Sequence, residues 1–501
     1  MKKNLVISIF LVLFIAISVF GVNYGGTLNY AIATEAVGLD PNLVTAFASF
    51  RILENVYDTL LKYDESMNIV PGLAESYEIV DPTTIVFTIR DGVKFHDGTP
   101  LTVDDVAFTF ERILDENYGS PAASNFAEIE SIKIIGDNKI EFKLKISMMN
   151  ALLPNFTSGN TAIVSKAFVE GGANMQLETN GTGPFYISDY KAGNYIELKK
   201  NENYYEEGLP YLDGIKFHII PEEISRVSAI RNGDVDLASL DEPTSVGMLA
   251  GNYKVFKQPV LNYYLLGINT AVKPLDDPKV RQAISYALNR ENIIKMVAFG
   301  EGTVTGPMNP TVTAWALPPE DFAIYDTNIE KAKELLTEAG YPNGIEFSIT
   351  CSAQYSFDKI AQVIQAQLAE AGIKVNIDLV EWGIFIDKWK KVDFDSFVSL
   401  NGGAVEPDKQ FYRTFYSTGS TNKFNFSNEK ADELLDAGRE TVEYEKRKEI
   451  YDEFQKLIVD ESPIIFLYCS NNIYAGQKSV EGFKTMSNGS LTFLREVWLN
   501  K

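Results

Sequence analysis

Leu73-Ala74-Glu75-Ser76-Tyr77, Thr84-Ile85-Val86-Phe87-Thr88-Ile89-Arg90, Asp91-Gly92-Val93-Lys94-Phe95-His96-Asp97-Gly98 and Leu101-Thr102-Val103-Asp104-Asp105-Val106 follow one another in a single run. Ile85, Phe87 and Ile89 alternate with polar or exposed-compatible residues, which is the period of a half-buried strand. Asp91-Gly92 ends that strand as a turn pair. Thr102 is an N-cap with Asp105 three residues on, and Val103, Val106, Ala107, Phe110, Ile113 and Leu114 form the apolar stripe of the helix that follows. The run therefore predicts strand, turn and amphipathic helix, the unit from which a mixed α/β protein is built.

Toward the C-terminus the same kinds of signal continue. Asp277-Pro278 reads as an N-cap followed by an N1 proline, with Val280, Ala283, Ile284, Ala287 and Leu288 at helical spacing. A helix is expected over about 329–339, closed by Gly340 and Pro342. A βαβ-like stretch follows, extended over about 345–350, helical over about 357–371 with Gly372 as its stop, and alternating over about 374–380. Helices over about 429–439 and 444–459 precede the apolar strand Ile464-Ile465-Phe466-Leu467-Tyr468. No repeat or low-complexity tract interrupts the pattern.

At the other end, Met1-Lys2-Lys3-Asn4 leads directly into an apolar run over residues 5–20, the layout of a secretory signal peptide, here residues 1–21 with cleavage after Gly21. The alternative for that run is an uncleaved anchor. Cys351 and Cys469, the two cysteines, lie far from the cleavage site, so a lipid-modified N-terminal Cys is excluded and two buried free thiols are expected. A length of 501 residues suits two to four domains, and a formal charge of −23 repels nucleic acid and anionic lipid.

Enzyme chemistry finds little footing. His96 and His218 are the only two histidines, and no G-x-S-x-G elbow, H-E-x-x-H pair or P-loop occurs. Gly181-Thr182-Gly183-Pro184 fails as a dinucleotide fingerprint because Pro184 interrupts it. No catalytic residue, metal site or cofactor is assigned; a hydrolase working with carboxylates alone is the remaining alternative from a different class.

The opening run, together with Gly181-Thr182-Gly183-Pro184-Phe185, Asn203-Tyr204-Tyr205, Val280-Arg281-Gln282-Ala283-Ile284 and Ala332-Lys333-Glu334-Leu335-Leu336, resembles the family 5 extracellular solute-binding proteins, receptors of ABC importers for peptides, nickel or oligosaccharides. The resemblance implies a bilobal type II periplasmic-binding-protein fold with an extra subdomain in the first lobe. It places the first lobe at residues 22–264 with an insertion at about 64–180, the second at 265–476, and a return to the first at 477–501. It further implies a monomer outside the cytoplasm that hands a small-molecule ligand to an ABC permease. Asp91 and His96 belong to the structural signature in this view.

The same resemblance nominates ligand-binding residues. Trp382 occupies the position of the family's cleft tryptophan, and Asn401-Gly402-Gly403-Ala404 with Glu406 matches its cleft loop. Gln354 follows a second-lobe strand, and Ala46 with Phe47 matches the first lobe's contribution. Dipeptide receptors of the family place an Asp in the cleft loop and an Arg just after a second-lobe strand; here those positions hold Gly403 and the stretch Ser352-Ala353-Gln354. An unpaired buried terminus costs several kcal/mol, so zwitterionic dipeptides are disfavoured. Two ligands remain: a longer peptide, with Glu406 partly replacing the lost Asp, or a neutral oligosaccharide stacked on Trp382 and bonded by Asn401 and Gln354.

Overall fold

The computed structural model describes residues 21–249 and 251–500, so the expected leader, apart from Gly21, lies outside the described residues. Thr84–Ile89 is a strand in which Ile85, Phe87 and Ile89 are buried, as its alternation requires. It lies inside a four-stranded antiparallel sheet, between Ala74–Asp81 and Lys139–Leu144, with Ile129–Ile135 at the far edge. Helix Val103–Leu114 covers this sheet with Val103, Val106, Phe110 and Ile113, and Asp105 Oδ2 accepts the Thr102 N–H at 2.9 Å to complete the capping box. Phe87, Phe110, Phe126, Phe142 and Phe156 meet edge to face with centroids 4.8 to 5.7 Å apart. Such pairs each add about 0.5–1.5 kcal/mol beyond burial, which gives this unit a core of its own.

Two further cores build the lobes. In the first, Thr27–Ile32 runs parallel to Gly214–Ile219 and to Leu237–Leu240, and the antiparallel strands Tyr195–Lys200 and Phe185–Lys191 complete one edge. In the second, Ile345–Cys351 runs parallel to both Ile373–Leu379 and Ser396–Asn401. Those three strands therefore end on one edge of the sheet, where open α/β sheets gather their ligand-binding loops. Cys351 and Cys469 are buried in this lobe and unbridged.

One strand serves both sheets. Ile464–Gly476 pairs over residues 464–468 with Tyr263–Ile268 of the second lobe, and over residues 471–476 with Lys254–Pro259 beside the first. Its last four residues also pair with Leu237–Leu240. The sequence reading covered only residues 464–468 of this strand, which continues through the half-buried Ser470, Asn471 and Asn472 to Gly476. Val260-Leu261-Asn262 forms a second link between the lobes.

His96 joins two of the sequence blocks. The Gly181 N–H donates to its Nδ1 at 3.2 Å, which leaves the proton on Nε2 to be donated to the Gly183 carbonyl at 3.1 Å. A Cβ at Gly181 or Gly183 would lie 2.0 or 2.5 Å from the Val56 backbone, so only glycine permits the contact. Burial pushes the His96 pKa down to about 4. Its folded pKa lies below the ordinary value, so acidification protonates the unfolded chain first, and stability is lost as pH falls from about 6.5 toward 4. The full shift corresponds to at most about 3 kcal/mol. In thermal melts, His96→Gln is expected to lower the melting temperature at pH 7 and to flatten the loss between pH 6.5 and 4. An unchanged acid slope would contradict the assignment.

Candidate ligand-binding cleft

Three cavities of about 420, 190 and 300 Å³ run end to end between the lobes. The first is walled by helix Phe47–Leu53 and the chain after it to Tyr63, by Thr157-Ser158-Gly159, by residues 488–490 and Thr492, and by Lys409 from the second lobe. The middle one joins Asn155 and Ser158 to Leu261 and the loop Gly403-Ala404-Val405-Glu406. Tyr63, Ser158, Lys409 and Asn488 line both of these cavities. Tyr63, Met67, Pro154, Val405 and Glu406 line both the middle and the third. The three cavities are neighbours along one trough-like row, with Tyr63 lining all three.

Local sequence explains how the second lobe reaches it. Glu406 caps helix Pro407–Phe415, accepting the Lys409 N–H at 3.0 Å, with Pro407 at N1. That cap puts Lys409 in the first turn, and its Nζ donates across to Asn155 Oδ1 at 3.3 Å. Glu406 itself is buried and ion-paired with the buried Arg447, and Asp408 is held by Arg439 at 2.9 and 3.1 Å. The acidic pair of the loop is thus neutralised from within, and breaking such a buried pair costs about 3–5 kcal/mol. Glu406 is in no position to replace a missing Asp for a ligand ammonium.

Gly403 has a steric reason. A Cβ there would stand 2.0 Å from the Leu261 carbonyl oxygen, because the loop packs directly on the link between the lobes. Gly402 is exposed, a Cβ there meeting only the Asn262 side chain at 3.9 Å, and the Ala404 N–H donates to Gln410 Oε1 at 2.8 Å. Asn401 lies opposite Tyr263 in the sheet.

Of the nominated residues, Phe47, Gly403, Ala404 and Glu406 line the trough, Phe47 with 72 % of its surface exposed. Ala46 is the N-cap of the helix that carries Phe47. Gln354, Trp382, Asn401 and Gly402 follow the parallel strands onto the same edge of the sheet but line none of the three cavities. Trp382 is half-buried, stacked on Phe385 at 5.5 Å and 15°, with Tyr355 at 5.8 Å. Tyr355 and Ser356 adopt φ of 53° and 60°, a strained pair that holds the Tyr355 ring outward.

Charged residues that the sequence did not single out line part of the first cavity. Arg51, Glu54 and Asp58 project from a stretch whose other members, Ile52, Leu53, Val56 and Tyr57, are buried. Neither Arg51 nor Lys409 forms an ion pair with a carboxylate among the described residues. Burial pushes the Asp58 pKa up to about 6, with Thr182 Oγ1 donating to it at 3.1 Å. Glu54 accepts from Ser490 Oγ at 2.6 Å and from the Leu491 N–H, and burial still raises its pKa to about 7. With a folded pKa above the ordinary 4.5, its contribution to stability is complete below pH 4.5 and lost as pH rises through 7. Glu54→Gln is therefore expected to gain up to about 3 kcal/mol on the parent between pH 5 and 8, read from paired chemical denaturations. A constant difference across that range would refute the shift.

Residues 68–423 match the model of the bacterial extracellular solute-binding proteins, family 5 Middle. The chain is 30% identical to the oligopeptide-binding protein AppA of Bacillus subtilis over 95% of this chain and 92% of that one. It is 30% identical to heme-binding protein A of Haemophilus influenzae over 88% and 86%. The structure of AppA in complex with a nonapeptide superposes with a TM-score of 0.66 at 29% identity, covering 96% of this chain and 100% of that one. The unliganded open form of the periplasmic murein tripeptide binding protein MppA gives 0.87 at 21% identity, covering 95% and 97%. No helix among the described residues is long and apolar enough to cross a membrane. On the family match and the extent of these alignments, the chain belongs to the bacterial extracellular solute-binding proteins of family 5.

Proposed function

We propose that the protein is the extracytoplasmic substrate-binding component of an ABC importer and that its cargo is an oligopeptide longer than a dipeptide. The observation that carries this reading is the row of three neighbouring cavities lined from both lobes, with side chains of both charge signs lining the first. An extended peptide advances about 3.3–3.6 Å per residue and suits a long narrow space. Arg51 and Lys409 supply positive charge for a carboxylate, while Glu54 and Asp58 supply acceptors for an ammonium. Gly403 offers neither a charge nor room for one. The oligosaccharide alternative rested on Trp382, Asn401 and Gln354 alone, whereas the cavities carry charged groups suited to peptide termini. AppA, by its name, takes oligopeptides, which supports the peptide reading.

In this reading residues 22–264 and 477–501 form the first lobe, with the four-stranded unit at about 64–180 inserted in it, and 265–476 form the second. Residues 1–21 are the export signal, the mature protein is a monomer, and an ABC permease receives the peptide with no chemical step on the way. Gln354, Trp382, Asn401, Gly402 and Ala46 are proposed as walls that reach the ligand when the lobes close. The better superposition on an open form than on a peptide complex supports an open resting arrangement.

A thermal-shift series tests the ligand class. A peptide at 100 times its dissociation constant adds about 2.7 kcal/mol of stability. Peptides longer than two residues are expected to raise the melting temperature, with dipeptides and neutral oligosaccharides giving no shift. Lys409→Ala should weaken the peptide about tenfold and leave the ligand-free melt unchanged. Stabilisation by oligosaccharides but by no peptide would overturn the reading.

A further inference from the structure

Five Asn-Gly pairs occur in the chain, at 180–181, 232–233, 343–344, 401–402 and 488–489. The dipeptide carries a chemistry of its own, because glycine has no side chain to keep its backbone nitrogen away from the asparagine carboxamide. The fold ties up that nitrogen in four of the five. The Gly181 N–H donates to His96 Nδ1 at 3.2 Å, Gly233 to the Ile230 carbonyl at 3.2 Å, Gly344 to the Tyr341 carbonyl at 3.0 Å and Gly489 to the Met486 carbonyl at 2.9 Å. The Gly402 N–H has no hydrogen-bond partner among the described residues, and Gly402 is exposed to water. Asn401 is the last residue of strand Ser396–Asn401 and lies opposite Tyr263, the first of its own strand, so the ladder ends there. Strand ends open at low cost, and the backbone beyond runs through two glycines. Arg413 Nη2 donates to the Gly402 carbonyl at 3.3 Å and pairs with no carboxylate among the described residues. A cation so placed favours loss of a proton from the neighbouring amide.

We infer that Asn401-Gly402 is a site of spontaneous deamidation, which puts a new carboxylate into the loop beside the middle cavity. The Gly402 nitrogen gives its proton to solvent and attacks the side-chain carbonyl carbon of Asn401. A new C–N bond closes a succinimide ring, the carboxamide C–N bond breaks, and its nitrogen takes a proton from solvent and leaves as ammonia. Water then cleaves either ring C–N bond, giving aspartate or isoaspartate without oxidant or reductant. The loop's own acids, Glu406 and Asp408, are each held by an arginine. The new one arises two residues before Gly403, which lines the middle cavity, and has no such clamp. Its consequence for binding rests on the peptide reading above: an added negative charge at the loop favours a ligand that carries an ammonium.

Peptide mapping by mass spectrometry tests the site, on the full chain held in mildly alkaline buffer and sampled over days, with isoaspartyl methyltransferase marking the isoaspartate. The peptide carrying Asn401 is expected to convert about tenfold faster than those carrying Asn180, Asn232, Asn343 and Asn488, while in the urea-unfolded chain all five convert at similar rates. Gly402→Ala should slow the reaction at Asn401 about tenfold. It should leave the ligand-free melt unchanged, since Gly402 has no positive φ and a Cβ there has room. Faster conversion at any of the other four, or an Asn401 that survives in the folded chain while the unfolded chain reacts, would overturn the site. Calorimetry of Asn401→Asp, the aspartate product, reads the consequence. Its preference for a free-amine peptide over the N-acetylated form is expected to exceed the parent's about threefold. An equal preference would overturn the effect on binding and leave the site standing. If neither protein bound any peptide, the peptide reading would fall with that effect, and the map alone would decide the site.

Discussion

The structure turns on a single strand that hydrogen-bonds to both lobes. Backbone donors and acceptors inside a protein must be paired, and Ile464–Gly476 satisfies its own in two different sheets. Cutting the sharing would leave unpaired edges in both lobes, so the strand ties the lobes together at this point. Where its pairing passes from one lobe to the other the strand runs through Ser470, Asn471 and Asn472, which are half-buried. A strand continuous in backbone but light in side-chain packing is stiff against sliding and compliant to bending, the mechanical property that a receptor with a cleft between its lobes requires.

The second link, Val260-Leu261-Asn262, ties ligand chemistry to that mechanics. Gly403 lies against the Leu261 carbonyl, so the cleft loop and the link between lobes move as neighbours. The absence of the acidic residue found in dipeptide receptors is thus a packing fact as well as a chemical one, since any side chain at 403 would push the loop off the link. Glu406 and Asp408 are then free to do structural work, each clamped by an arginine of a helix that follows in sequence. The cations that line the first cavity are instead Arg51, Lys62 and Lys409.

Much of the fold was legible because its signals are local. Asp277-Pro278, Gly340 and Gly372 mark element ends within a residue or two of Pro278–Tyr286, Ile329–Glu338 and Phe357–Glu370, since caps and positive-φ turns depend on adjacent residues only. The cleft was less legible. Glu406-Pro407 announces a helix start, but its partner Arg447 is 41 residues away and nothing local names it. Arg51, Glu54 and Asp58 look like the polar positions of any amphipathic segment until the lobes are assembled around them. Trp382 was drawn to the cleft by family resemblance, and the structure sets it on the right edge of the sheet while stacking it on Phe385.

The central claim is that binding and lobe movement are one equilibrium. A ligand that contacts both lobes must shift the open arrangement toward a closed one by its difference in affinity for the two. Small-angle X-ray scattering of the protein, with and without a peptide shown by calorimetry to saturate it, measures this directly. The account predicts a smaller radius of gyration in the bound state. An unchanged scattering profile at proven saturation would contradict it.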